Sequence, residues 1–531
     1  MKGKSTSDHI FLLQTIIEKV VKKNKKKLYA AFIDFKKAYD TVNRELLIRK
    51  LQSIGINGTF LRNIVSMYRI TEYSVKLKGG NTRGIKSNLG LKQGCPLSPI
   101  LFNLYIDDIR EIFDDTCDPV TIQDTKLNHF LYADDLVIIS ESNDGLQNCL
   151  DKISHFSKMK DLTISVNKSK SMVFNNSGKF IRDIFIVDGK KLEPVQTFCY
   201  LGIDIKCSGT LKHALNVLND KGNKALRPLL SVIARFNIPV KTSIKLFHTY
   251  ISPILLYNCE NLCTLSDKEL TKFDQNSIFS NIFKDKNDIT HRKILKFTLG
   301  LSRSSPNLTL YGETGEIPLS MKRYRLTLNF WHRVTNFPDS SLAKKALLEN
   351  IHLRTNYIQT IEKLINTLNL GEKIGNNAEF KNATKYALEN QFQAWWKSAL
   401  NNPDLPRLIF YKDIKTIFGM EGYLKIPNFQ QRRLIAKLRC SDHALEIEKG
   451  RHRKILRQER LCKFCGNGEI EDEEHFLIKC RVYYPLKIKY NFDLIFETRI
   501  FFTENNLLPL GKYLEEAFKV RDENIRMNNQ T

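Results

Sequence analysis

Two short apolar runs, His129-Phe130-Leu131 and Leu136-Val137-Ile138-Ile139, flank Tyr132-Ala133-Asp134-Asp135. This arrangement predicts a β-hairpin with two adjacent carboxylates at its tip. Charged pairs at hairpin tips are commonly no more than solvated turn residues, so the pair alone carries little. A further acid lies a hundred residues upstream, where Tyr29-Ala30-Ala31-Phe32-Ile33-Asp34 reads as an apolar strand ending in Asp34, followed by a helix rich in Lys, Ala and Leu. Two strand-end carboxylates from separate segments are what two Mg²⁺ ions need to bridge a nucleotide's phosphates and activate an attacking hydroxyl.

A different ligand set closes the chain. Cys462, Cys465, His475 and Cys480 have the spacing C-x2-C-x9-H-x4-C, with Gly466 as a knuckle glycine and a helix expected from near Glu471. Three thiolates and one imidazole suit a closed, tetrahedral, structural Zn²⁺ site, and the basic segment 449–463 beside it suits a nucleic-acid backbone. The x9 spacing is longer than that of a retroviral zinc knuckle. Cys440 lies upstream of four ligands that already suffice, and is read as an ordinary thiol.

The elements that must position these groups follow from hydrophobic period and punctuation. Residues 8–24 show helical spacing, and the lysine run up to Lys27 connects them to the first strand. Two helices are expected over 43–70, broken at Gly55-Ile56-Asn57-Gly58. A strand over 73–77 then turns at Gly79-Gly80-Asn81, and an amphipathic helix covers 144–161. Residues 208–300 read as packed helices, Gly300 to Asn307 as a linker, and 318–402 as helical. Trp331, Trp395 and Trp396 in that last stretch are read as core or helix contacts ahead of base stacking.

With 83 Lys and Arg against 57 Asp and Glu among 531 residues, the formal charge is +26, an excess that attracts polyanions and makes their binding salt-dependent. The densest basic clusters are Lys22 to Lys27 and Arg451 to Lys454, each equally readable as a nuclear-import patch or a solvated face. No uncharged apolar run approaches the roughly 18 residues needed to span a bilayer, and the N-terminus lacks an apolar signal core. The expected compartment is nuclear or cytoplasmic rather than secretory, with no membrane partner. Eleven cysteines, odd in number and scattered, argue against a disulfide framework.

Ala31-Phe32-Ile33-Asp34-Phe35-Lys36-Lys37-Ala38-Tyr39-Asp40, Gly90-Leu91-Lys92-Gln93-Gly94-Cys95-Pro96-Leu97-Ser98-Pro99 and Tyr132-Ala133-Asp134-Asp135 together resemble the palm motifs of reverse transcriptases of non-LTR (LINE-like) retrotransposons, in order and approximate spacing. Leu162-Thr163-Ile164 with Lys168-Ser169-Lys170 resembles the next motif, and Phe198-Cys199-Tyr200-Leu201-Gly202 the primer-grip hairpin. The resemblance implies an α+β right-hand polymerase palm over 29–205, with 1–28 as residual fingers or connection. A helical thumb at 206–300, a helical region at 301–440, the zinc module at 441–490 and a tail at 491–531 would follow.

It further implies RNA-directed DNA polymerisation with dNTPs on an RNA template, extending a DNA primer or target end. Asp34 and Asp134 would be direct Mg²⁺ ligands and Asp135 an outer one, with the Phe35 carbonyl as a further ligand. Tyr39 would lie under the sugar and reject a 2′-hydroxyl. Gln93 and Gly94 would approach template and nucleotide, and Lys168 would protonate pyrophosphate. Ser165 and Ser169 replace the family's usual Asn and Thr, which weakens the Lys168 assignment. Asp107-Asp108 is read as a surface pair. The family sequence upstream of Met1 is missing, so the expectation includes truncated fingers. The rival reading is an inactive or domesticated remnant that binds nucleic acid.

Overall fold

The computed structural model describes residues 5–69, 71–262, 265–271, 279, 282–373, 375 and 377–528. Met1 to Lys4 of the expected first segment, Ile70 at the close of the expected second helix and parts of the 206–300 region lie outside the described residues. The chain divides into two compact units: Met1–Ala214 with Arg333–Gln359, and Leu215–His332 with Thr360–Thr531. The fold is α+β, with the strands in the first unit and the second built from helices. No helix among the described residues is long and apolar enough to cross a membrane.

The first unit is organised by a five-stranded sheet in the spatial order Glu193–Pro194, Lys170–Phe174, Leu28–Ile33, Asp135–Ser140, His129–Tyr132. The central Leu28–Ile33 strand is apolar throughout because both its faces are covered. One face packs, through Ala31 and Ile33, into a core with Leu146, Leu150, Ile153 and Phe156 of the Asn143–Met159 helix, whose N-terminus is capped by the Ser142 hydroxyl. On the other face Phe32 stacks on Phe198 with ring centroids 4.2 Å apart. Each such large apolar side chain contributes about 1.5–3 kcal/mol on full burial, and truncating Leu150 to Ala would cost about 2–5 kcal/mol.

Two expectations need correction here. The helix expected directly after Asp34 begins only at Arg44, with the Asn43 side chain accepting from the Glu45 and Leu46 amides. The intervening backbone is committed elsewhere: Phe35 bridges to Ile164, and the Lys36 amide donates to the Thr163 carbonyl at 2.8 Å. The single strand expected over 73–77 is split in two, Glu72–Tyr73 pairing with Ile85–Lys86 and Lys76–Leu77 with Gly80–Asn81. The Val75 amide between them turns instead to the Thr82 hydroxyl at 2.8 Å.

The first unit also recruits a piece of the distant C-terminal half. Helix Leu342–His352 lies against helix Thr6–Ile17, and Arg333 pairs with Asp8. Asn350 donates to the buried Thr15 hydroxyl at 2.6 Å. Glu349 accepts from Lys19 at 2.9 Å and from the Gln123 amide at 3.0 Å.

In the second unit, residues 300–306 are no free linker. The Ser302 amide donates to Asp442 at 2.7 Å and Arg407 donates to the Ser304 carbonyl at 2.6 Å, both within that unit. Trp396 is buried as expected, its indole N–H donating to the Leu308 carbonyl at 2.9 Å. Residues 507–528, expected only as part of a tail, form a long helix on the Phe429–Arg439 helix.

Candidate active site and metal centre

Sheet register builds the acidic cluster. Tyr132 pairs with Asp135, leaving Ala133 and Asp134 as a two-residue turn in which Ala133 takes a positive φ of 53°. Ile33 pairs with Leu136 on the adjacent edge, so the next residue of the central strand, Asp34, comes level with Asp135. The three carboxylates therefore share one end of the sheet. Desolvation raises the Asp135 pKa, and the neighbouring charges of Asp134 and Asp34 raise it further. Asp34 Oδ2 is buried and has no hydrogen-bond partner. An unpaired anionic oxygen is costly unless a cation compensates it, and the crowding and the orphaned oxygen together fit a divalent-cation site.

The backbone of Asp34 is held on both sides by the 165–169 segment. Its amide donates to the Ser169 hydroxyl at 3.0 Å, and its carbonyl accepts from the Ser165 amide at 2.7 Å. The two serines that depart from the usual family residues thus position Asp34 directly. Lys168 lies between them, largely exposed, with its ammonium 3.7 Å from Asp34 Oδ2. Phe35 is buried.

Tyr39 stacks on Phe102 with centroids 4.6 Å apart, and desolvation together with the Asp134 charge raises its hydroxyl pKa. The 90–94 segment runs beside it: the Leu91 amide donates to the Tyr39 carbonyl at 2.8 Å and Gln93 donates to Asp40 at 3.0 Å. Gly90 is required here, since at φ +81° a Cβ would stand 2.5 Å from the Asp40 carbonyl oxygen. Gly94 also has a positive φ, of 81°, but open space around it.

Sequence reasoning missed Arg44. This buried guanidinium donates to the carbonyls of Gly90 (2.9 Å), Tyr68 (3.0 Å), Ser87 (2.7 Å) and Leu89 (2.9 Å), fixing the loop that carries Gln93. Nothing in its local sequence distinguishes it from a solvated helix arginine. The expected surface pair also needs correcting. Asp107 is partly exposed and pairs with Arg110, but Asp108 lies between Lys50 and Lys160; desolvation raises its pKa, and these two ammonium partners together outweigh it, so the net shift is downward. Asp108 ties the chain after helix Ser98–Ile106 to its two helical neighbours.

In the second unit, the ligand atoms of Cys462, Cys465, His475 and Cys480 all lie within 4.8 Å of one another. A bridge between Leu461 and Ile470 closes the loop, and Gly466 and Gly468 turn it at φ near +67° and +68°. The helical turn begins two residues later than expected, at Glu473, because the Asp472 side chain accepts the His475 amide at 2.9 Å. Glu469 accepts from His475 Nδ1 at 2.7 Å, leaving Nε2 facing Cys465 Sγ at 3.5 Å. A carboxylate on the outer imidazole nitrogen is the arrangement that orients a metal-bound histidine, so the donor set fits a closed metal site. Cys440 is buried away from this cluster. Behind it, Glu471 and Arg521 form a fully buried two-pronged pair at 2.8 and 2.7 Å, which anchors the module to the Leu507–Asn528 helix.

Residues 1–205 match the family model described as reverse transcriptase (RNA-dependent DNA polymerase). The chain is 27% identical over 188 residues to the Pol polyprotein of the type-1 retrotransposable element R2 of Popillia japonica, covering 34% of this chain and 31% of that one. Against the R2DM counterpart of Drosophila melanogaster it is 27% identical, covering 40% and 21%. It thus spans about a third or less of the length of these relatives. A solved telomerase of Candida tropicalis, in complex with a fragment of telomeric RNA, aligns at 14% identity with a TM-score of 0.31, over 71% of this chain and 52% of that one. Asp34, Asp134 and Asp135 stand on adjoining strand ends inside residues 1–205, the region that matches the reverse transcriptase family and is similar to the Pol polyproteins of R2 retrotransposable elements.

Proposed function

We propose that the protein is an RNA-directed DNA polymerase of a LINE-like retroelement, extending a primer 3′-end with dNTPs on an RNA template. The observation that carries this reading is the Oδ2 of Asp34, without a hydrogen-bond partner, beside Asp134 and Asp135: three carboxylates crowded at one sheet end with the largely exposed Lys168 ammonium 3.7 Å away. Asp34 and Asp134 would hold Mg²⁺, with Asp135 as an outer partner and the Phe35 carbonyl as a further ligand. Bound there, two such ions would lower the pKa of the primer hydroxyl and offset charge on the departing pyrophosphate.

The chain's own residues supply orientation. Ser165 and Ser169 hold the Asp34 backbone, and Arg44 holds the loop that presents Gln93 and Gly94 to template and nucleotide. Tyr39, braced by Phe102, would crowd a 2′-hydroxyl and favour deoxynucleotides. Lys168, 3.7 Å from Asp34, would hand a proton to pyrophosphate. The Cys462, Cys465, His475, Cys480 cluster would hold a structural Zn²⁺, and the basic segment before it would contact the nucleic-acid backbone.

The test is Mg²⁺-dependent dNTP incorporation on poly(A) primed with oligo(dT), comparing the chain with its Asp134→Ala variant. Incorporation that disappears in the variant supports the polymerase. No incorporation by either, with salt-sensitive RNA binding retained, overturns it in favour of a nucleic-acid-binding remnant.

A further inference from the structure

Four segments of the second unit converge on a second cluster of metal-type ligands. His248 comes from helix Val240–Tyr250, His291 from helix Lys286–Leu299, Glu316 from the turn after Gly315, and Lys322 from helix Leu319–Thr335. Ligand atoms of His248, His291 and Glu316 all lie within 4.8 Å of one another. Glu316 Oε2 is 2.7 Å from His248 Nε2 and 3.6 Å from His291 Nε2.

His291 is the anomaly. It is fully buried, stacked on Phe247 with centroids 5.1 Å apart, and neither of its ring nitrogens has a hydrogen-bond partner. A buried imidazole always carries at least one N–H donor and one further polar nitrogen, and leaving them unsatisfied is unfavourable. Aiming Nε2 at a carboxylate shared with a second imidazole is the donor geometry of a two-histidine, one-carboxylate metal site. His248 and Glu316 remain partly exposed, so the cluster opens to solvent on one side.

Lys322 is the rival cation. Its ammonium is 3.8 Å from Glu316 Oε2, and 3.1 and 3.3 Å from the two ring nitrogens of His248. Lys322 thus offsets the carboxylate charge and contacts the His248 ring, whose Nε2 is already hydrogen-bonded to Glu316 at 2.7 Å. His291 gains nothing from it.

We propose that His248, His291 and Glu316 bind a divalent transition ion of the zinc class. The site clips helix Val240–Tyr250, helix Lys286–Leu299 and the Glu316 turn together, independently of the cysteine site. Repulsion from Lys322 weakens the ion's binding without preventing it.

The experiment is metal content of the full chain after zinc loading and dialysis, read by elemental analysis. The expected result is two equivalents, falling to one in His291→Phe, to one in Cys465→Ser and to none in the double variant. His291→Phe preserves the ring stack on Phe247, and His248→Gln, on the more exposed side, gives the same loss with the fold checked by circular dichroism. Co²⁺ loading separates the sites: Cys465→Ser keeps ligand-field bands without thiolate charge transfer, whereas His291→Phe keeps charge transfer. Lys322→Met binds the second equivalent roughly tenfold or more tightly, once the neighbouring positive charge is gone. One equivalent in the unaltered chain, unaffected by His291→Phe or His248→Gln, overturns the proposal and leaves Lys322 as the site's only cation.

Discussion

The acidic cluster of the first unit and the cysteine–histidine cluster of the second are built on opposite plans. Asp34 and Asp134 are far apart in sequence and meet only because Leu28–Ile33 and Asp135–Ser140 pair in one register. They are left electrostatically uncomfortable, with an orphaned oxygen and a raised pKa at Asp135. Cys462, Cys465, His475 and Cys480 fall within one short loop, three of them buried, with Glu469 already set behind the imidazole. An open, charge-frustrated site suits ions that must meet substrate. A closed and internally supported one suits an ion that holds structure. On the proposed reading, metal-ligand chemistry would serve turnover in one place and folding in the other, according to what the ligands lack before an ion arrives.

The sharpest way to break this comparison is to remove one ligand from each site and compare activity with stability. Asp34→Asn should abolish nucleotide incorporation, by at least about 10³-fold, with melting temperature unchanged or raised, as measured by primer extension and calorimetry. Cys462→Ser should do the reverse in kind, unfolding the loop around Cys462–Cys480 and exposing amides of the Leu507–Asn528 helix to hydrogen exchange. Because apparent zinc-binding energies in small modules reach about 10–16 kcal/mol, this loss should be local but complete. A Cys462→Ser chain with unchanged exchange protection would show that Glu471–Arg521 alone holds the module.

A more delicate contrast uses the groups behind the ligands. Glu469→Gln keeps the size but removes the charge that orients His475, and should weaken zinc about 10–100-fold in a chelator competition. Asp135→Asn removes one of three crowded carboxylates. Without Mg²⁺ it should raise the unfolding midpoint slightly at neutral pH, because a carboxyl whose folded pKa is raised destabilises the folded state once ionised. Added Mg²⁺ should then stabilise the variant less than the parent.

The smallest effect expected is one of pH. Burial lowers His129, on the first strand of the acidic hairpin, from 6.5 to about 4. The folded state therefore binds fewer protons than the unfolded one between these values, and stability should fall as pH drops from about 6.5 towards 4. Urea titrations of His129→Gln should show a shallower fall over that window.

Much of the site is legible in the order of residues alone. The apolar run ending in Asp34 and the two runs around Asp134-Asp135 read as strands because each is short, apolar and closed by a turn or an acid, and the cysteine spacing declares its own chemistry. What local sequence does not carry is every relation between distant segments: Arg44 reaching four carbonyls, Ser169 under the Asp34 amide, Asp108 between two lysines, and helix Leu342–His352 returning to helix Thr6–Ile17. The helix after Asp34 is expected too early because local propensity cannot see that Ile164 and Thr163 claim its backbone.

The sequence by itself determined which groups are candidates for the chemistry, since ligand type, hairpin punctuation and cysteine spacing are local properties of the chain. Only the tertiary structure decided that Asp34 lies level with Asp135, that its Oδ2 has no hydrogen-bond partner, and that His248, His291 and Glu316 converge. Those outcomes depend on register and helix packing, which are set by the summed burial of many distant side chains rather than by any short stretch of residues.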